Sequence, residues 1–71
     1  MIEIVKEGGI YFSSSGLRFA VLHKAKHGQD CSIPMIVYTN LEATKDYPML
    51  EKWVISESFF LKTFSEVKPN G

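Results

Sequence analysis

Leu17-Arg18-Phe19-Ala20-Val21-Leu22-His23-Lys24-Ala25-Lys26-His27 is the segment that decides the fold. Leu17, Phe19, Val21, His23, Ala25 and His27 fall on one face of an extended chain, and Arg18, Ala20, Leu22, Lys24 and Lys26 on the other. That period of two is what a half-buried strand requires, and the first face is the candidate core. The alternation weakens after Lys24, so the His23 to His27 portion is expected to pass the rim of the sheet into solvent.

Downstream, the polar turn Gly28-Gln29-Asp30-Cys31-Ser32 joins this strand to Ile33-Pro34-Met35-Ile36-Val37-Tyr38-Thr39, rich in β-branched and aromatic residues. Together they read as a long hairpin. Pro34 lacks a ladder donor and belongs at the start of its strand or on an edge. From Asn40 to Lys52 the periodicity fails. Asp46, Pro48 and the charged Glu42, Lys45, Glu51 and Lys52 mark an excursion loop, with one helical turn over Leu41 to Lys45 as an alternative. Long loops inside small domains are often functional. Trp53-Val54-Ile55 then reads as a strand, Ser56 to Phe60 as a helical turn capped by Ser56 or Ser58, and Leu61 to Val67 as a closing strand.

Upstream, Ser13-Ser14-Ser15-Gly16 is a turn that leads back to a short strand from Ile10 to Phe12. Gly8-Gly9 separates that strand from an opening one that runs from Ile2 and Ile4 to Lys6. Five or six short strands with one brief helical turn are too few for a sandwich, and closure would remove their exposed edges. The expectation is a mostly β fold, a small SH3-like antiparallel barrel over residues 1–67 with a frayed tail at 68–71. A strongly bent antiparallel sheet carrying a short helix is the alternative.

Composition sets the outer limits. Seventy-one residues hold one core, because two would each bury too little to offset chain entropy. At 45% hydrophobic and 23% charged, the chain has the apolar content of a folded domain. A formal net charge of +0 excludes a highly basic polyanion wrapper and an acidic mimic of nucleic acid. The single Cys31 cannot form an internal disulfide, and the acidic start carries no signal-peptide pattern. A soluble, cytoplasmic protein is the expectation. So small a domain often self-associates, which leaves a homo-oligomer open.

Gly9-Ile10-Tyr11, then Val21-Leu22-His23-Lys24-Ala25-Lys26-His27, Ile36-Val37-Tyr38-Thr39-Asn40-Leu41, Trp53-Val54 and Phe60 follow one another in a telling order. This order resembles a group of short bacterial and phage proteins known as domain of unknown function, family sixteen fifty-three. The resemblance spans residues 8 to 67 and rests on a Val-Leu-x-x-Ala-x-His strand, a Val-Val-Tyr-like strand and a Trp-Val step before a Phe-containing turn. The loop before Trp53 is longer here. Where the family often carries Arg-Pro after the Trp-Val step, this chain has Ile55-Ser56, so any ligand contact made by that Arg is lost. The family has no settled activity. The resemblance therefore implies a compact β fold, encoded by a bacterium, phage or mobile element, and no catalytic residue.

Catalytic and metal chemistry find little support in the residues. His23 and His27 with Cys31 are the only candidate soft ligands, but four residues of strand cover roughly 13 Å, too far for one zinc unless the chain bends. Cys31 with His27 lacks an orienting third group and oxyanion donors. Ser13 to Gly16 lacks the Lys and helix of a phosphate loop. Glu42, Asp46, Glu51, Glu57 and Glu66 sit on polar segments where solvated charge is the ordinary state. The expectation is a protein that is not an enzyme and carries no cofactor or metal.

Binding chemistry offers three readings. Tyr47-Pro48-Met49-Leu50 is an apolar cluster in a polar loop, which makes Tyr47, Met49 and Leu50 either a lid on the barrel or contacts for a protein partner. The second reading is a nucleic-acid-binding barrel that uses the stripe Arg18, Lys24 and Lys26, with Tyr38 as the stacking ring beside Tyr11, Phe12 and Trp53. The third is capture of a nucleotide or small molecule at an oligomer interface. Tyr11, Tyr38, Tyr47 and Trp53 could also line a groove for a peptide or modified lysine. Burial in so small a core is the competing use of these rings, and Trp53, Phe19, Phe59 and Phe64 are expected to be structural. A non-enzymatic protein-binding module leads these readings.

Overall fold

The computed structural model describes residues 4–67. β1 (Ile10–Phe12), β2 (Arg18–Lys26), β3 (Pro34–Asn40) and β4 (Lys52–Ser56) form one open antiparallel sheet in chain order, followed by α1 (Glu57–Thr63). The fold is thus mostly β with one short helix, as the residue pattern implied. The sheet has four strands where five or six were expected.

Turn chemistry explains the meander. Gly8 adopts φ 81°, a conformation that favours glycine, and a Cβ on Gly9 would lie 2.9 Å from Cε2 of the Tyr11 ring. Among the described residues, 4–6 of the expected opening strand are not strand. Ile2 lies outside the described residues, and residues 4–6 run straight into the turn that Gly9 N–H closes on the Lys6 carbonyl at 3.0 Å. Ladder bonding to β2 begins only at Gly8 and Gly9, whose N–H and carbonyl engage Val21. Between β1 and β2, Ser13 bonds Leu17 and Gly16 at 3.0 and 2.9 Å, with Gly16 at φ 84°.

β2 and β3 form the expected long hairpin, but with a register shift between Val21 and His23 that makes Leu22 an extra residue. Its consequence reaches every later side chain of β2. Before the bulge, Phe19 and Val21 face the core; after it, Lys24 is the direct partner of buried Ile36, and His23 opposes Val37 on the outer face. The strict alternation read from the sequence therefore inverts halfway along the strand, because one added residue exchanges the two faces. His23 and Ala25 are exposed rather than core, and the strand runs into solvent as anticipated.

The second departure lies at the end of the chain. Leu61 to Val67 does not form a closing strand; α1 continues to Thr63, and only Ser65 returns to the sheet. Ser56 caps the helix by accepting from the Phe59 N–H at 3.3 Å, Glu57 occupies the first turn and Lys62 the last. Phe60 and Phe64 lie one helical turn apart and stack at 4.3 Å, a contact that strand geometry would forbid. Phe12 and Ser65 exchange N–H to carbonyl bonds of 2.8 and 2.9 Å, on the edge of β1 that β2 leaves free.

The core fills the inner face of the sheet under α1. Val5, Tyr11, Phe19, Val21, Ile36, Tyr38 and Phe60 are buried, flanked by Leu17, Trp53, Ile55 and Phe64. Phe60 is 0% exposed and meets the rings of Tyr11 and Tyr38 edge-on at 5.3 and 5.7 Å. Phe59, expected to be structural, is instead 55% exposed, because a helix turns adjacent residues by about 100° and only Phe60 can face the sheet.

Candidate functional site: the β3–β4 loop

Asn40, the last residue of β3, organises the loop that follows. It shares the inner face with Ile36 and Tyr38 and is 1% exposed. Its amide group uses its full hydrogen-bonding capacity. Nδ2 donates to the carbonyls of Glu42 and Pro48 at 2.9 and 2.8 Å, while Oδ1 accepts from the Glu51 N–H and the Trp53 Nε1–H at 2.9 and 3.1 Å. Both ends and the middle of the excursion are thereby tied to one buried side chain. The Leu50 N–H adds a bond to the Asn40 carbonyl at 2.9 Å, and Thr39 donates its hydroxyl to the Glu51 carbonyl at 2.7 Å.

Within the loop, Thr44 supplies a local turn in place of the alternative helical turn. Its Oγ1 accepts from the N–H groups of Asp46 and Tyr47, and its own N–H bonds the Tyr47 carbonyl. Arg18 N–H donates to the Glu42 carboxylate at 2.9 Å and its guanidinium pairs with it at 3.4 Å, which ties the loop to β2.

The three loop residues singled out by the sequence behave differently. Tyr47 turns inward and packs edge-on against Trp53 at 5.0 Å, half-buried. Met49 and Leu50 face solvent, 57% and 52% exposed. Leu50 is the one described non-glycine residue with a positive φ, 66°. That left-handed conformation costs about 1–2 kcal/mol for a residue bearing a Cβ. Lys52 Nζ donates to the Leu50 carbonyl at 2.7 Å and helps to hold it there.

The basic stripe does not assemble. Arg18 precedes the bulge and shares the outer face with Ile10 and Ala20, whereas Lys24 follows it on the α1 side and pairs with Glu57 at 3.7 Å. Lys26 is exposed near the hairpin tip. Tyr38 is no surface ring: it is 9% exposed, between Phe19, Phe60 and Phe64, which removes it as a stacking platform and corrects that assignment. Tyr11, at 4% exposure, is removed likewise. Burial raises the Tyr38 phenol above its ordinary value of 10.0, with a smaller contribution from the neighbouring Tyr47 phenol.

At the hairpin tip, His27 Nδ1 accepts from the N–H groups of Gln29 and Asp30 at 3.1 and 3.3 Å. Committed to the turn, this nitrogen is not a base for exposed Cys31. His23 Nδ1 lies 4.0 Å from Glu7 on the outer face. Among the described residues no three His, Cys, Asp or Glu side chains are grouped to hold a metal ion, and no helix is long and apolar enough to cross a membrane.

No family model, no curated protein and no solved structure matches this chain. Sequence reasoning missed Asn40, and the available signal was an asparagine placed directly after an apolar strand and before a loop rich in backbone groups that need partners.

Proposed function

We propose that the protein is a non-enzymatic binding module that docks a protein partner through the β3–β4 loop, with Met49 and Leu50 as apolar contacts and Tyr47 as their support. One observation carries this reading. Two large apolar side chains are held in water on a loop fixed by three hydrogen bonds to the Asn40 side chain, which also binds Trp53 of β4, and one of the two residues has an unfavourable backbone conformation. Strain and apolar exposure both oppose the isolated domain, and a pre-shaped apolar contact lowers the ordering cost of association. Lys45, Asp46, Glu51 and Lys52, all exposed and close in sequence to the pair, give the loop a balanced charge that suits a docking patch better than a phosphate track.

We further propose that the domain is an SH3-like barrel related to family sixteen fifty-three. The supporting features are the helix that follows β4, the return of Ser65 to the free edge of β1, and the bulge in β2, a device that bends strands.

Met49→Ser combined with Leu50→Asn tests the docking reading, because both residues are exposed and asparagine tolerates a positive φ. Proteins retained from native extract by the wild-type domain should be lost by the double variant, with its thermal unfolding temperature no lower than that of the wild type. Retention of the same partners by the variant defeats the assignment. Binding that weakens by orders of magnitude between about 50 and 200 mM salt would point instead to phosphate contacts.

A further inference from the structure

We infer that the tip of the β2–β3 hairpin is a proton-operated latch, closed by neutral His27 and opened when that imidazole gains a proton. Residues 27–33 are held by few bonds. His27 N–H donates to the Ile33 carbonyl at 3.0 Å and Ile33 N–H to the Asp30 carbonyl at 3.1 Å. The Asp30 carboxylate accepts from Ser32 N–H and Oγ at 3.0 and 2.6 Å. The apex itself, the N–H groups of Gln29 and Asp30, rests on one atom, His27 Nδ1.

Chemistry makes that atom conditional. A ring nitrogen accepts hydrogen bonds only through its lone pair, so the closed tip contains the imidazole protonated at Nε2 alone. Imidazolium carries hydrogen on both nitrogens. Its Nδ1–H would then face two backbone N–H donors, turning two attractive contacts into repulsive ones. Most residues that cap a turn this way are Asx or Ser, whose acceptor oxygens survive mild acid; a histidine in that place loses its acceptor when the ring gains a proton. The other ionisable groups of the tip are Asp30 and Cys31, with Lys26 at the end of β2 next to His27, while Ile33 and the Pro34-Met35 start of β3, on the returning chain, carry none. Asp30 is held below its ordinary 3.8 chiefly by the Ser32 side-chain hydrogen bond and then by the Ser32 backbone, so it stays charged throughout the range in which the latch acts. Opening releases the Gln29 and Asp30 N–H groups, beside exposed Cys31.

Amide hydrogen exchange across pH, expressed as protection relative to the intrinsic rate at each pH, tests the latch in the intact chain. Between about pH 8 and pH 5 the Gln29 and Asp30 amides should lose roughly tenfold protection, the equivalent of a hydrogen bond or more, while core amides such as Ile36 keep theirs. His27→Asn retains an acceptor that does not titrate and should abolish the change. Nitrogen-15 shifts should report an unprotonated Nδ1 at high pH. Constant protection in the wild type, an equal loss in His27→Asn, or a protonated Nδ1 at high pH overturns the inference.

Discussion

Asn40 shows how much one side chain can determine. Four partners converge on it in a site 1% exposed, and the loss of either half of the amide strands buried groups. Asn40→Asp keeps the shape but removes both donors and brings a charge beside the carbonyls of Glu42 and Pro48. Its expected cost is about 2–4 kcal/mol in urea unfolding, with the Glu51 amide losing exchange protection ahead of the core. A cost under about 0.5 kcal/mol would show that the loop holds its shape by other means. Tyr38 supplies the pH counterpart. Because folding raises its phenol, protonation is favoured in the folded state. Its contribution is complete below the unfolded value near 10 and is lost as pH rises through the folded value. Alkaline titration of stability should fall less steeply in Tyr38→Phe than in wild type, and identical slopes would refute that attribution.

Among the elements, β1, β2 and β3 were legible because period-two apolar patterning and turn residues agree there. β1 falls on the expected Ile10 to Phe12, and the hairpin occupies Arg18 to Lys26 and Pro34 to Asn40. The bulge at Leu22 was not legible, since Leu22 alternates as well as its neighbours do and only cross-strand pairing shows it to be supernumerary. At α1, the run Phe59-Phe60-Leu61 satisfies strand and helix alike, and Ser56 decides for helix by capping it, with Glu57 favourably placed in the first turn. Ser56→Ala should therefore cost about 1 kcal/mol by thermal or urea unfolding, while Ser58→Ala leaves stability within about 0.5 kcal/mol. Equal effects from the two would place the cap elsewhere.

For the molecule as a whole, stability of this size class is about 4–10 kcal/mol, so few core contacts are dispensable. Phe60 joins helix to sheet through Tyr11 and Tyr38 and stacks on Phe64 at the end of α1. Phe60→Ala should cost about 3–5 kcal/mol and leave a substantial unfolded population at 37 °C, whereas Phe59→Ala, one position away but 55% exposed, should cost under about 1 kcal/mol. Circular dichroism melts of the pair decide whether the helix is seated as described.

The amino-acid sequence by itself determined that this is one small β-rich unit, that a hairpin forms its middle, and that Tyr47, Met49 and Leu50 lie in an irregular excursion, because patterning and turn propensity act between near neighbours. Tertiary structure alone decided which side of β2 each lysine takes, that Tyr38 is core and Met49 surface, and that Asn40 holds the loop. Those outcomes depend on which strand lies opposite and which distant carbonyl needs a donor, and no local period encodes either.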